Sequence, residues 1–255
     1  MGGKVWFIGA GPGDPELITV KGARLIASAD LVLYAGSLVP REVVAGARPG
    51  ARVEDSSPLT LEQTHALLRE TAQAGGLAAR VHTGDPSLYG AVHEQAALLD
   101  RDGIPWEIAP GVTAAFAAAA GAGASFTAPG GSQSLIITRT GKNTGMPGEQ
   151  GLRGFAAHGC ALALYLAAGD AQAAQDELLA GGLDRATRVV LGHKVGWPGG
   201  SVQETTLDRM AAATREAGIT RQAVYLVLPG APGNGARSRL YHPEHGHLFR
   251  PAREP

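Results

Sequence analysis

Residues 5–15, VWFIGAGPGDP, decide how this chain is read. An apolar run ends at Gly9, and glycines, prolines and Asp14 follow. Apolar residues then return at helical spacing, at Leu17, Val20, Ala23 and Ala27, so the spacing predicts a helix over Glu16–Ser28. Strand, glycine turn and helix in this order open an α/β unit. Glycines at such a turn let the backbone bend tightly and approach a ligand. The spacing is not that of a dinucleotide fingerprint, because the third glycine would have to stand where Asp14 stands. Pro12 also removes an amide that a phosphate would need. Asp30 precedes the second apolar run, so the ribose-binding acid of a Rossmann-type methyltransferase has no counterpart. The Walker pattern is absent as well. The loop is therefore read as shaped for a ligand other than a phosphate.

Outward from this loop the rhythm continues. ADLVLYA, RVEDS, LAARVHTG and PWEIAPG read as further strands. Helices are predicted over Leu61–Ala74, with Thr60 as N-cap, and over Tyr89–Arg101. The alternation implies a mostly parallel sheet covered by helices. A second loop, VHTGDPSLYG over residues 81–90, again joins a strand to a helix through Gly-Asp-Pro. Asp85 there either caps free amides or accepts hydrogen bonds from a ligand. Beyond Pro110–Gly111 a small-residue helix is predicted over Val112–Ala122, and then four strand-like runs: QSLIITRT, ALALYLA, RVVLGHKV and QAVYLVLPG. The reading is α/β with two domains, 1–112 and 113–255, and a tail from Pro232 that forms a loop with at most one edge strand.

Composition narrows the function classes. A formal charge of −1 over 255 residues argues against a nucleic-acid partner bound by bulk electrostatics. No apolar run reaches the ~20 residues that span a bilayer, and no signal sequence is read at the start, so no membrane partner is expected. The single cysteine, Cys160, excludes an internal disulfide and suits a cytoplasmic location; it is expected to be buried rather than reactive. His242, His245 and His247 are read as exposed side chains of the tail, and no protein-bound metal is expected.

Taken in order, VWFIGAGPGDPELITVKG, ADLVLYAGSLV, VHTGDPSLYGA and IAPGVTAAFAAAA make the chain resemble the tetrapyrrole methylases. These are S-adenosylmethionine-dependent enzymes of cobalamin and sirohaem synthesis. YAGSLV, TRTGKNTGMPGE and RSRLYHPEHGHLFR are most similar to the branch that methylates precorrin-4 or cobalt-precorrin-4 at C-11. The resemblance implies a homodimer, a precorrin substrate, and S-adenosylmethionine in a cleft between two α/β domains of the tetrapyrrole methylase type.

Residue by residue, the resemblance places Pro12 beside the adenosyl ligand. Gly84, Asp85, Pro86 and Tyr89 would hold the methionine end, together with Thr113 and Ala114. Leu166 and Val195 would line the adenine pocket. An acidic tetrapyrrole calls for cationic side chains, and Arg41, Arg139, Lys142, Lys194, Arg237 and Arg239 are the candidates in loop-like segments. No essential protein nucleophile is expected, because an electron-rich ring carbon can attack the sulfonium methyl directly. Related uroporphyrinogen enzymes carry an acid after the tyrosine of the second strand. Here Ala35-Gly36-Ser37 follows Tyr34, which argues against that substrate. A nucleotide-binding oxidoreductase is opposed by the failed fingerprint. A non-catalytic binding protein would hold S-adenosylmethionine without turnover.

Overall fold

The computed structural model describes residues 2–141, 145–230 and 238–251. The chain divides into two compact units: Met1–Ala117 with Lys194–Ser201, and Ala118–His193 with Val202–Pro255.

The first unit holds β1 (Lys4–Gly9), α1 (Val20–Ser28), β2 (Leu31–Tyr34), β3 (Arg52–Asp55), α2 (Leu61–Gln73), β4 (Leu77–His82), α3 (Val92–Arg101) and β5 (Trp106–Ala109). Its sheet has the order β3-β2-β4-β1-β5, with every pair parallel. Gly9 is registered with His82, Ile8 with Ala109, and Tyr34 with both Val81 and Asp55. The carboxyl ends of all five strands therefore lie along one edge. That is where open parallel sheets hold ligands. Side chains alternate strictly between two cores. Trp6, Ile8, Val32, Ala79 and Val81 join Leu25 and Ile26 of α1. Val5, Phe7, Leu31, Leu33 and Ala78 join Leu68 of α2 and Ala96 and Leu99 of α3.

Local chemistry explains where the elements differ from expectation. The stretch after Asp14 is not one helix. Asp14 caps a single turn of 3₁₀ helix over Pro15–Leu17, and Thr19 accepts from the Gly22 amide to start α1 afresh. In contrast, Thr60 and Gln63 form the reciprocal capping box that opens α2. The helix expected from Tyr89 begins at Val92, because Tyr89 and Ala91 have left-handed φ of 56° and 49°.

The same parity places two ionisable residues of β4 on the α2–α3 side. Arg80 is buried, and its guanidinium donates to Gln95 Oε1 (2.9 Å), Ser56 Oγ (2.9 Å) and the Leu33 carbonyl (3.3 Å). His82 is 5% exposed, packs 5.8 Å from the Phe7 ring, and among the described residues has no partner for Nε2. Burial, with the nearby Arg80 charge adding to it, pushes the His82 imidazole down to about 3. The folded state thus keeps His82 neutral where the unfolded chain takes up a proton near pH 6.5. Its depressed pKa means that stability is fully present above about pH 6.5 and is lost as pH falls toward 3. Between pH 6.5 and 4.5 stability should therefore fall steadily, by a few kcal/mol at most. The carboxylates of Asp30, Asp55 and Asp102 are held below their usual range, so their contributions fall away at lower pH. Urea unfolding across this window should show the slope in the wild type and a flatter profile in His82→Leu. Parallel profiles for the two proteins would refute it.

The second unit carries the latter half of α4 (Ala114–Gly121), then β6 (Leu135–Arg139), α5 (Leu152–Ala156), β7 (Ala161–Tyr165), α6 (Ala171–Ala180), β8 (Arg188–His193), β9 (Ser201–Thr206), α7 (Met210–Glu216) and β10 (Ala223–Leu228). Its sheet has the order β6-β7-β10-β8-β9. β6 and β7 are parallel, and β10 runs antiparallel to both of its neighbours. This sheet has five strands rather than the expected four. SVQETT forms β9 at the edge, where a polar strand suffices. One core fills the unit, around Leu162, Leu164, Leu178, Leu191, Met210 and Tyr225. In the tail the described residues 238–250 form a turn and one isolated bridge between His247 and Arg250, not an edge strand. Among the described residues no helix is long and apolar enough to cross a membrane.

Candidate functional site

Three loops meet at the carboxyl ends of β4, β1 and β5, which are adjacent in the sheet. Their contact is backbone on backbone. Gly11 and Gly84 exchange two hydrogen bonds, of 3.2 and 2.7 Å, and the Ala10 amide donates to the His82 carbonyl at 2.8 Å. A Cβ on Gly111 would stand 2.1 Å from the Gly84 carbonyl oxygen and 2.7 Å from Gly9 Cα. A Cβ on Gly9 would stand 2.5 Å from Gly111 Cα. No side chain fits between these segments, so glycine is a packing requirement at both positions.

Asp85 ties the corner together. One carboxylate oxygen accepts from the Gly111 amide at 2.9 Å and the other from the Ser87 amide at 2.8 Å. The capping alternative raised by the sequence is therefore realised, and each oxygen keeps a second lone pair. From α1's cap, Thr19 Oγ1 donates to the Pro110 carbonyl at 3.3 Å. Pro12 and Pro86 are buried, Thr113 and Ala114 are partly buried, and Tyr89 is 45% exposed on its left-handed backbone.

The segment Lys194–Ser201 completes the corner, and it brings Val195 into the same unit. Pro12, Gly84, Asp85, Pro86, Tyr89, Thr113, Ala114 and Val195 are thus all within the first unit. Leu166 lies in the second. It follows β7 with φ of 54° and leaves 67% of its side chain exposed, so it is not a core residue. Gln222, which sequence reasoning missed, is also left-handed (φ 54°) and precedes β10 at the same end of the β7–β10 pair.

The cationic candidates are dispersed. Arg41 is exposed and borders a cavity of about 460 Å³ with Glu42, Arg48 and Val53. Arg139 donates to the Thr140 and Gly145 carbonyls, both at 2.9 Å, beside a cavity of about 310 Å³ that Asp170 and Glu177 also line. Its guanidinium holds a loop next to two carboxylates, a poor setting for an acidic ligand. Lys194 is partly buried with φ of 45°. Lys142 and Arg237 fall outside the described residues, as does the side chain of Arg239. Cys160 is buried. Among the described residues no group of three or more His, Cys, Asp or Glu is arranged to hold a metal ion.

The corner suits a donor with ammonium, carboxylate and adenine groups better than a diphosphate. The amides of Ala10 and Gly11 are already engaged by carbonyls, and Pro12 offers none. Backbone carbonyls, Asp85, the Thr113 hydroxyl and apolar Val195 are the kinds of group such a donor needs. The chain is thus an α/β protein of two sheets with a glycine-built corner of three loops at the carboxyl edge of its parallel sheet.

Comparison with known proteins gives the family. The model for tetrapyrrole (corrin/porphyrin) methylases matches residues 4–211, and the chain belongs to that family. The precorrin-4 C(11)-methyltransferase of Pseudomonas aeruginosa is 44% identical over 249 residues, 97% of this chain and 98% of that protein. The X-ray structure of a cobalt precorrin-4 methyltransferase, a cobalamin biosynthetic enzyme, superposes with a TM-score of 0.86 at 42% identity, covering 88% of this chain and 94% of the other. Uroporphyrin-III C-methyltransferase from Thermus thermophilus, complexed with S-adenosylhomocysteine, gives 0.72 at 30% identity, with 88% and 97% covered.

Proposed function

We propose that this chain methylates C-11 of precorrin-4 or cobalt-precorrin-4 in cobalamin biosynthesis, with S-adenosylmethionine as methyl donor. The observation that carries this reading is identity above 40% over nearly the whole length of a C-11 enzyme, joined to the three-loop corner that fits the donor. Tyr34 followed by Ala35-Gly36-Ser37 favours this substrate over a uroporphyrinogen. On the resemblance we also propose a cytoplasmic homodimer, with Leu166 and Val195 against adenine.

When bound, the donor supplies an electrophilic methyl group on a sulfonium. The chain's own part is to bind, align and exclude water. Asp85 and the corner carbonyls offer acceptors for the donor's ammonium, and Thr113 offers a hydroxyl for its carboxylate. Of the six cationic candidates, Lys194 and Arg41 are described and are not committed to a loop as Arg139 is, and they are proposed to meet substrate carboxylates. No protein nucleophile is needed for a one-step displacement.

Asp85→Ala should weaken donor binding by about tenfold or more, because two charge-assisted hydrogen bonds that shape the corner vanish. Calorimetric titration with S-adenosylhomocysteine reads this directly, and unchanged affinity would reduce Asp85 to an ordinary turn residue. The activity is tested with methyl-labelled S-adenosylmethionine and a panel of precorrin-4, cobalt-precorrin-4, other precorrins and uroporphyrinogen III. Label at C-11 of either precorrin-4 form is the expected result. Label only in uroporphyrinogen, or binding without turnover, would overturn the assignment.

A further inference from the structure

Trp197 packs closely against the first glycine loop at Gly13. A Cβ on Gly13 would stand 2.3 Å from Trp197 Cδ1, 2.7 Å from Nε1 and 3.1 Å from Cγ. The neighbouring Gly196 is equally tight, since its Cβ would meet the Asp14 amide nitrogen at 2.6 Å. The segment presenting them is folded on itself. The Trp197 amide donates to the Lys194 carbonyl and the Gly200 amide to the Trp197 carbonyl, both at 2.9 Å. Lys194, Gly196 and Gly199 all have left-handed φ, of 45°, 81° and 73°. A non-glycine residue held there is strained and persists only when its surroundings over-determine it. The strain is concentrated in a segment that lies between β8 and β9 in sequence but packs with the first unit.

We propose that Trp197 is a positioning residue for the methyl donor, holding the Gly11–Asp14 loop in its binding shape through the Gly13 and Gly196 contacts. This rests on the reading that the loop is part of the donor site. The loop lacks side chains of its own to fix its course across Gly11-Pro12-Gly13, and the two glycines have φ of 74° and 148°. A planar indole seated on Gly13 restricts that freedom before the ligand arrives, and preorganisation of this kind appears as affinity. Its effect should fall on donor binding, not on the chemical step.

The test uses the full-length protein and S-adenosylhomocysteine. Trp197→Ala should weaken binding about tenfold and raise the donor KM to match, with kcat at saturating donor within about threefold of wild type. Trp197→Phe, which keeps a ring on Gly13, should restore most of the affinity. Ligand addition should change tryptophan emission in the wild type, and the change should be lost in Trp197→Phe although that variant still binds. Gly13→Ala should weaken binding strongly in the wild type and less in the Trp197→Ala background, where the collision is gone and only the strain of a side chain at φ 148° remains. Equal affinities for Trp197→Ala and wild type, or additive Gly13 and Trp197 effects, would overturn the proposal. If Trp197→Ala does not fold, the Trp197→Phe affinity and emission data decide alone. Absence of binding by the wild type would instead remove the donor-site reading itself.

Discussion

Gly111→Ala should abolish measurable donor binding and lower the unfolding midpoint by about 10 °C. The added methyl carbon would sit 2.1 Å from the Gly84 carbonyl oxygen and 2.7 Å from Gly9 Cα, and both neighbours are main chain. Overpacking of this kind costs 1–3 kcal/mol where side chains can yield, and more where they cannot. At ~3 kcal/mol or more, a chain of this size loses on the order of 2–4 °C per kcal/mol. Separation of the loops also pulls the Gly111 amide from Asp85 and disturbs the Gly11–Gly84 pair. Misplacement by ~1 Å at such a site can cost a hundredfold in rate. Gly46→Ala is the control, since its Cβ meets nothing within 4 Å and its φ is not left-handed. Calorimetric titration and thermal melts of both variants check the expectation. A Gly111→Ala protein with wild-type affinity would show that the corner does not form as described.

Arg80→Met should destabilise the fold by about 3 kcal/mol or more, because three acceptors lose their donor at about 1–3 kcal/mol for each one left buried and unpaired. Burial pushes the Arg80 guanidinium down to about 10, and the Asp55 carboxylate opposes that shift, so the group is still charged at neutral pH. The variant leaves Gln95 Oε1, Ser56 Oγ and the Leu33 carbonyl without their donor. Asp55 loses a cation that helps to hold its carboxyl below the usual range, although its hydrogen bonds to Ser57 and to the Gly36 amide remain. The loop after Tyr34 depends on these groups, because Ser56 also donates twice to the Tyr34 carbonyl. Denaturant unfolding at neutral pH should therefore show a lower midpoint for Arg80→Met, with Arg80→Lys intermediate. Equal midpoints would mean that the network is dispensable.

What the residues disclosed in advance, and what they withheld, follows from where each signal is stored. Most strands of the parallel sheet were legible because they are apolar runs ending at a glycine or a polar turn, whereas β3, RVED at the sheet edge, carries only one apolar residue. The two Gly-Asp-Pro loops were legible because backbone strain demands particular residue types. β9 was hidden because an edge strand such as SVQETT needs no continuous apolar face. The left-handed Tyr89, Ala91, Leu166, Lys194 and Gln222 were hidden for the opposite reason. None is glycine or asparagine, and tertiary packing alone imposes their backbone. Arg80 and His82 read as members of an alternating strand, and only the packed helices reveal that both are buried. Trp197 lies more than 180 residues from the loop that it touches, and no local pattern records such a distance. Asp85 stood out in the sequence as either a cap or a ligand acceptor, while its link to Gly111 joins two loops that the sequence presents separately.

The membership of Lys194–Ser201 in the first unit bears on how the protein can be dissected. A polypeptide cut after Ala117 keeps every strand of the parallel sheet and both of its cores, so it retains what is needed to collapse on its own. It would nonetheless carry an open clasp, because the residues that close over Gly13 are encoded downstream. Split halves of this gene are therefore not interchangeable modules, and a short synthetic peptide spanning the clasp is the reagent to supply in trans.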